Sequence, residues 1–146
     1  MTTFGLCEFA DLRSMKNISI FIVERNPVWG NLLKYRLSLG KFTNTRLLHS
    51  AQEAFRLISD HIVPHYMIAD AEDPTINCLE FLARIKSLNP YVKVLFFTTV
   101  ADSLLANDLL AAGATDYIVR SGKQDAGISE LIKNLTYLCR EEYQYR

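Results

Sequence analysis

The sequence has no excess of charge of either sign and no long apolar run. Its 146 residues include 16 Lys and Arg against 16 Asp and Glu, so the formal net charge is zero. A nucleic-acid-binding domain usually carries a basic excess, and a membrane span needs about 18 consecutive apolar residues. We therefore expect this chain to bind no nucleic acid and to enter no membrane.

Cysteine is scarce as well, and the three cysteines, Cys7, Cys78 and Cys139, have no C-x-x-C spacing. Their odd number and wide separation favour unpaired thiols in a reducing compartment over a disulfide framework or a metal site. The first sixteen residues also lack the basic start and apolar middle of a signal peptide. These features predict a cytoplasmic protein.

The sequence does contain a regular alternation of strand-like and helix-like segments. Hydrophobic residues make up 49% of the chain, enough for the core of one domain. We predict a domain over residues 17–140, with an N-terminal arm at 1–16 and a C-terminal tail or linker start at 141–146. The predicted strands are Ile18 to Val23, Thr43 to His49, His65 to Asp70, Val92 to Phe97 and Asp116 to Val119.

Local signals indicate where the intervening helices begin and end. Asn26-Pro27 predicts an N-cap followed by proline at the first helical position. Ser50 to Glu53 has the pattern of a capping box, Asn77 and Asp102 are candidate caps, and Gly113 suits a helix end. Alternation of this kind predicts a parallel sheet that is covered by helices on both faces.

The polarity of the strands predicts their order in the sheet. Strands one, three and four are the most apolar and belong in the centre, while strands two and five are polar or short and belong at the edges. The expected fold is therefore α/β: a flavodoxin-like (βα)5 three-layer sandwich with a five-stranded parallel sheet in the order 2-1-3-4-5. Ligands of such sheets bind beyond the carboxyl ends of the strands. The residues expected there are Glu24, Arg25, Asp70, Glu72, Thr98, Thr99 and Arg120.

In their order and spacing these residues resemble the pocket of response-regulator receiver domains of the chemotaxis-regulator type. The resemblance covers about residues 17–140. It rests on an acidic segment after strand one, an aspartate at the end of strand three with a proline four residues later, a threonine after strand four, and an Ala-Gly-Ala turn before strand five. The segments are Val23-Glu24-Arg25-Asn26-Pro27, Tyr66-Met67-Ile68-Ala69-Asp70 with Pro74, Phe96-Phe97-Thr98-Thr99, and Ala112-Gly113-Ala114 followed by Tyr117.

The resemblance implies a phosphoryl-transfer site. Asp70 is the implied phosphoacceptor. Glu24 would help to hold Mg²⁺, chiefly through water, and the backbone carbonyl of Glu72 would be another ligand. Thr98 would bind a phosphoryl oxygen, and Tyr117 would move inward as the coupled aromatic residue. A metal is wanted because a carboxylate that attacks phosphorus meets negative charge on both sides.

Three positions depart from the receiver pattern. Arg25 stands where the family has its most direct protein ligand for the metal, which puts Mg²⁺ binding in question. Arg120, followed by Ser121, replaces a Lys-Pro pair whose lysine binds the phosphoryl group, and Cys78 replaces a loop glycine. One hypothesis is that both arginines pair with Asp70 and replace the metal. The domain would then be a pseudo-receiver that is not phosphorylated and acts only through protein–protein interaction.

The resemblance also implies partners. A receiver takes its phosphoryl group from a histidine kinase or a phosphotransfer protein, acts on an output protein that the sequence does not identify, and is not an enzyme itself. The chain ends soon after its last predicted helix, so we expect the output to lie elsewhere. A homodimer through helix 4, strand 5 and helix 5 is an expectation by analogy. A flavodoxin-like cofactor binder is a remote alternative, because the loop after strand one is charged and stopped by proline.

Overall fold

A computed structural model describes residues 15–73, 77–120 and 126–144. Residues 1–14, most of the predicted arm, lie outside the described residues, as do Cys7, Pro74 and Ser121. Strands and helices alternate in the order β1 (Ser19–Val23), α1 (Pro27–Leu39), β2 (Asn44–Leu48), α2 (Ala51–Ser59), β3 (Tyr66–Ala69), α3 (Cys78–Leu88), β4 (Lys93–Thr98), α4 (Ser103–Ala111), β5 (Asp116–Val119) and α5 (Ala126–Gln144).

The five strands form one parallel sheet in the order β2-β1-β3-β4-β5, which confirms the predicted fold class and strand order. The register pairs Val23 with Ala69 and Ala69 with Phe96, so the last residues of β1 and β3 lie side by side. Thr98 pairs with Val119 at the ends of β4 and β5. The apolar strands occupy the centre because helices bury both of their faces.

Alternate residues of each central strand pack into two hydrophobic clusters, one on each face of the sheet. One cluster joins the strands to α2, α3 and α4 and includes Phe21, Met67, Phe96, Leu82 and Ile85. The other joins them to α1 and α5 and includes Ile22, Ile68, Leu33, Leu37, Leu131 and Leu135. The molecule is therefore a three-layer sandwich with α1 and α5 on one face and the other helices opposite.

The helix signals in the sequence correspond to real caps. The Asn26 side chain accepts hydrogen bonds from the backbone N–H groups of Val28 and Trp29, at 3.0 and 3.3 Å. Ser50 and Asp102 cap α2 and α4 in the same way. Gly113 has a φ of 108°, which glycine adopts more easily than other residues.

The segment boundaries differ from the predicted ones by a residue or so, and two of these differences concern the site. Asp70 lies just beyond β3 rather than within it, whereas Thr98 is the last residue of β4. The Asp70 side chain accepts a hydrogen bond from the backbone N–H of Glu72 at 2.9 Å, a local turn that ends the strand.

The last helix extends beyond the predicted end of the domain. Helix α5 continues to Gln144, whereas the sequence places the end of the domain at residue 140. Within the described ranges, each helix is too short or too polar to cross a membrane.

Candidate functional site

Asp70 lies at the centre of the sheet's carboxyl edge, as the sequence predicts. It follows β3, which is flanked by β1 and β4, and its side chain is 14% exposed. One carboxylate oxygen, Oδ1, accepts from the Glu72 N–H. The other, Oδ2, accepts a hydrogen bond of 2.9 Å from Nη2 of Arg120. Both oxygens of this carboxylate therefore have protein partners.

Arg120 is the cation of the site. Its backbone N–H donates to the Thr98 carbonyl at 2.8 Å, which continues the β4–β5 pairing by one residue and sets the side chain beside Asp70. Nη1 lies 4.0 Å from Oε2 of Glu24, so one guanidinium lies between two carboxylates. The Arg120 side chain is only 15% exposed, and water therefore screens these interactions less than at the surface.

Glu24 is the second carboxylate at this edge, with its side chain 12% exposed. Burial raises the pKa of its carboxyl group, and the negative charges of Asp70 and Asp73 raise it further. The hydrogen bond from the Asn26 N–H to Oε1, at 3.1 Å, and the charge of Arg120 lower the pKa, but the net direction is upward. Burial therefore makes the charged form of Glu24 less favourable in the folded protein than in water.

Arg25 does not pair with Asp70, and this part of the two-arginine hypothesis is wrong. Its Nη1 lies 3.3 Å from Oδ1 of Asp73, and its side chain is 53% exposed. Asp73 is the more buried partner, at 8% exposed. Arg25 pairs with Asp73 because this residue supplies a nearby carboxylate three residues beyond Asp70. The Asp70 carboxylate is already paired with Arg120.

Glu72 contributes to the site through its backbone N–H and contacts the loop after β4 through its side chain. The Thr99 hydroxyl donates a hydrogen bond to Oε2 of Glu72, which links the loop after β3 to the loop after β4. The implied role of the Glu72 carbonyl as a metal ligand stays a prediction.

Thr98 is the last residue of β4, and Tyr117 lies on the neighbouring strand β5. Thr98 is fully buried, and its hydroxyl oxygen accepts from the Val100 N–H at 3.2 Å. The half-buried Tyr117 donates its hydroxyl to the Val100 carbonyl at 2.6 Å, so both residues hold the start of the β4–α4 loop. Burial raises the pKa of the Tyr117 hydroxyl, and the negative charge of Asp102 adds to this.

A cavity of about 680 Å³ opens at this edge of the sheet. The residues that line it come from the end of β1, from the β1–α1 loop and from the loop after β3, and five of them carry charge. The lining residues are Val23, Glu24, Arg25, Asn26, Asp70, Glu72 and Asp73. The fold thus brings together the acidic residues that the sequence predicts, with Asp73 in addition.

Two residues at the site have no assigned role in the sequence prediction. Asp73 faces Arg25, and the signal that points to it is its spacing of three residues from Asp70 in the same loop. Trp29, on the first turn of α1, lies with its ring centroid 4.4 Å from the guanidinium carbon of Arg120. No local pattern marks this contact, because the two residues belong to opposite ends of the chain.

A known protein family matches most of the chain. Residues 20–132 match the family model described as the response regulator receiver domain. Among curated proteins, the transcriptional regulatory protein TrcR of Mycobacterium tuberculosis is 28% identical over 124 residues, which are 84% of this chain and 46% of that protein. The chain spans less than half the length of the curated relatives it matches.

Solved structures show the same fold. A CheY-like response regulator receiver domain protein from Methanospirillum hungatei superposes with a TM-score of 0.74 at 19% identity, over 88% of this chain and 98% of that one. An atypical orphan response regulator protein gives a TM-score of 0.69 at 22% identity, over 86% of this chain and 97% of that one.

Proposed function

Because this chain belongs to the response regulator receiver domain family, we propose that it is a receiver-type module of two-component signalling that works by docking, with Asp70 held in an ion pair. Receiver domains interact with histidine kinases or phosphotransfer proteins and with output domains. The observation that carries the proposal is the position of Arg120, which donates to Asp70 at 2.9 Å and also faces Glu24.

The state of the Asp70 carboxylate supports this proposal. An acceptor carboxylate needs one oxygen free to attack phosphorus and a cation that neutralises the incoming phosphoryl group. Here Oδ1 accepts from the Glu72 N–H and Oδ2 accepts from Arg120. In this arrangement neither carboxylate oxygen is free, and Arg120 is already paired with one of them.

The donor set at the site does not fit Mg²⁺ in this arrangement. Mg²⁺ is bound through one or two carboxylates together with water, in near-ideal octahedral geometry. The guanidinium of Arg120 lies between Asp70 and Glu24, and Arg25 replaces the remaining acid. Nowhere in the described part of the chain are three or more His, Cys, Asp or Glu side chains grouped so as to hold a metal ion. The proposed docking module therefore works without Mg²⁺.

A structural neighbour gives a precedent. The atypical orphan response regulator protein is described as having a phosphorylation-independent regulatory mechanism. We propose the same mode for this chain, on the basis of its own ion pairs. The domain would then act in the cytoplasm without catalytic activity of its own, on an output protein or output segment.

A second candidate function is a switch that is phosphorylated on Asp70. The open cavity beside Asp70 favours it, since a phosphoryl group would have access there. The buried Thr98 at the end of β4 and the half-buried Tyr117 on β5 also support it, as the residues that would bind and respond to the phosphoryl group. In this alternative Arg120 would have to leave Asp70 Oδ2 and bind the phosphoryl group. A homodimer through α4, β5 and α5 belongs to the same alternative.

A titration with Mg²⁺ and beryllofluoride, a mimic of the phosphoryl group, distinguishes the two functions. We expect no saturable change in the backbone amide spectrum around Asp70 and no rise in the melting temperature. Asp70→Asn is the control, because any effect that persists in this variant arises elsewhere. Saturable changes that need Mg²⁺ and vanish in Asp70→Asn would overturn the docking proposal in favour of the phosphorylated switch.

A further inference from the structure

The geometry points to Trp29 as the positioning residue that holds the Arg120 guanidinium on Asp70, and so as the link between this ion pair and α1. The inference rests on the proposed function, because it concerns the same ion pair. The guanidinium carbon of Arg120 lies 4.4 Å from the centroid of the Trp29 ring, within the range of a cation–π contact. Trp29 in turn stacks on Phe97 of β4, with ring centroids 6.0 Å apart and planes at 22°.

Hydrogen bonds alone leave the orientation of this guanidinium open. Arginine often grips a carboxylate through two parallel hydrogen bonds, which fix its plane. Arg120 makes one such bond to Asp70, and its contact with Glu24 is longer, at 4.0 Å. Its Nε atom is buried and has no hydrogen-bond partner in the described part of the structure. The closer aromatic ring that constrains the plane is that of Trp29, with the Phe97 ring further away.

The Trp29 contact gives a physical reason for arginine, rather than lysine, at position 120. A planar, weakly hydrated guanidinium stacks on an aromatic face and still donates from its edge, whereas a compact ammonium loses the stacking. Phe97 adds a second ring, with its centroid 5.7 Å from the guanidinium carbon. The arginine and the tryptophan thus form one unit across β5 and α1.

The backbone of Arg120 is constrained from the other side by α5. A Cβ atom placed on Gly127 would come within 3.0 Å of the Arg120 Cα and 3.1 Å of Phe97 Cε1, so glycine allows α5 to pack tightly there. Arg120 thus has three neighbours: α5 packs against its backbone, Trp29 stacks on its guanidinium, and Asp70 pairs with its charge. Through these contacts it connects the site to the first turn of α1. Loss of the Asp70 anchor therefore changes the environment of Trp29.

Trp29 is the only tryptophan in the chain, so its signals report this contact directly. We would compare the fluorescence and the indole N–H resonance of the full chain with those of Asp70→Asn and of Asp108→Asn. Asp108 is an exposed residue of α4 outside the site, so the same exchange there is a matched control. Both Trp29 signals should shift in Asp70→Asn and stay in place in Asp108→Asn. Unchanged signals in Asp70→Asn would overturn the inference.

The converse experiment changes Trp29 and measures an NMR signal of Arg120. The Arg120 Nε–H resonance, protected by burial, should be kept in Trp29→Phe, which conserves an aromatic face, and lost in Trp29→Leu. Retention of the wild-type resonance in Trp29→Leu would overturn the inference. If Trp29→Leu does not fold, Arg120→Lys replaces it: the charge remains, the stacking is lost, and the Trp29 signals should shift. Unchanged signals in that variant would again overturn the inference.

The two sets of results are independent. Mg²⁺-dependent binding of beryllofluoride would overturn the docking proposal and leave the role of Trp29 in the free protein intact. Trp29 signals that are unchanged in Asp70→Asn and in Arg120→Lys would overturn only the inference about Trp29.

Discussion

At the scale of single residues, the site is a balance between burial and charge. Burial dominates at Glu24 and raises the pKa of its carboxyl group, with Asp70 and Asp73 acting in the same direction. The Asn26 N–H and the Arg120 guanidinium oppose this shift without cancelling it. A carboxyl group whose pKa is higher in the folded state binds protons more tightly there. Its contribution to stability is therefore present at low pH and is lost as the pH rises through the folded-state pKa.

Glu24→Gln should remove this pH dependence. The amide can still accept the hydrogen bond from the Asn26 N–H, but it carries no charge to desolvate. The free energy of unfolding of the variant, measured relative to wild type, should therefore rise as the pH increases from 4.5, the ordinary pKa of the group, through its raised folded-state value. Urea denaturation across this pH range is the measurement.

Glu72→Gln serves as the comparison for Glu24→Gln, since the Glu72 side chain is exposed. A difference between Glu24→Gln and wild type that is flat with pH, or that falls as the pH rises, would contradict this account of Glu24.

At the scale of elements, the start of α1 determines where three features of the site lie. Asn26 ends the β1–α1 loop, binds Glu24 through its backbone N–H and caps the helix through its side chain. Pro27 occupies the first helical position, where its missing N–H costs no hydrogen bond. The cap accepts from the N–H of Trp29 and so fixes the turn that carries the ring against Arg120.

Asn26→Ala should destabilise the protein by about 1 kcal/mol, within a range of roughly 0.5–2 kcal/mol for the loss of an N-cap. Asn26→Ser, which can still accept from the helix N–H groups, should retain most of the stability. Chemical denaturation of both variants at neutral pH measures the difference. Equal stability of the two variants would show that the side-chain cap contributes little here.

At the scale of the whole molecule, the sheet separates two hydrophobic clusters that do not share residues. Ile85 on α3 belongs to one cluster and Ile128 on α5 to the other, and both are fully buried. The candidate site lies at the carboxyl edge of the sheet, where the layer of α1 and α5 reaches it through Trp29 and Gly127. Packing of this helix layer therefore contributes to the geometry of the site.

Ile85→Val and Ile128→Val should each cost about 0.5–1.5 kcal/mol, the usual effect of removing one buried methylene. Because the two residues pack in different clusters, the double variant should show the sum of the two effects to within about 0.5 kcal/mol. The measurement is urea denaturation of the two single variants and the double variant, each with a single cooperative transition. A coupling above about 1 kcal/mol would mean that the clusters communicate strongly through the sheet.

Much of the fold is predictable from the sequence because its causes are local. Central strands buried on both faces have to be apolar, and this places β1, β3 and β4 in the middle and β2 and β5 at the edges. The capping residues Asn26, Ser50 and Asp102 act within a few residues of their own position, so they too are visible in the sequence. The exact strand ends are less predictable, since the Asp70 turn competes with the sheet.

The sequence by itself determined which chemical groups arrive at the carboxyl edge of the sheet: the carboxylates of Glu24 and Asp70 and the guanidinium groups of Arg25 and Arg120. Only the tertiary structure decided how they pair. Arg120 forms an ion pair with Asp70, and Arg25 forms one with Asp73. The physical reason is that long arginine side chains can reach several carboxylates. Which carboxylate each arginine pairs with depends on packing between residues far apart in the chain, above all on the Trp29 ring beside Arg120.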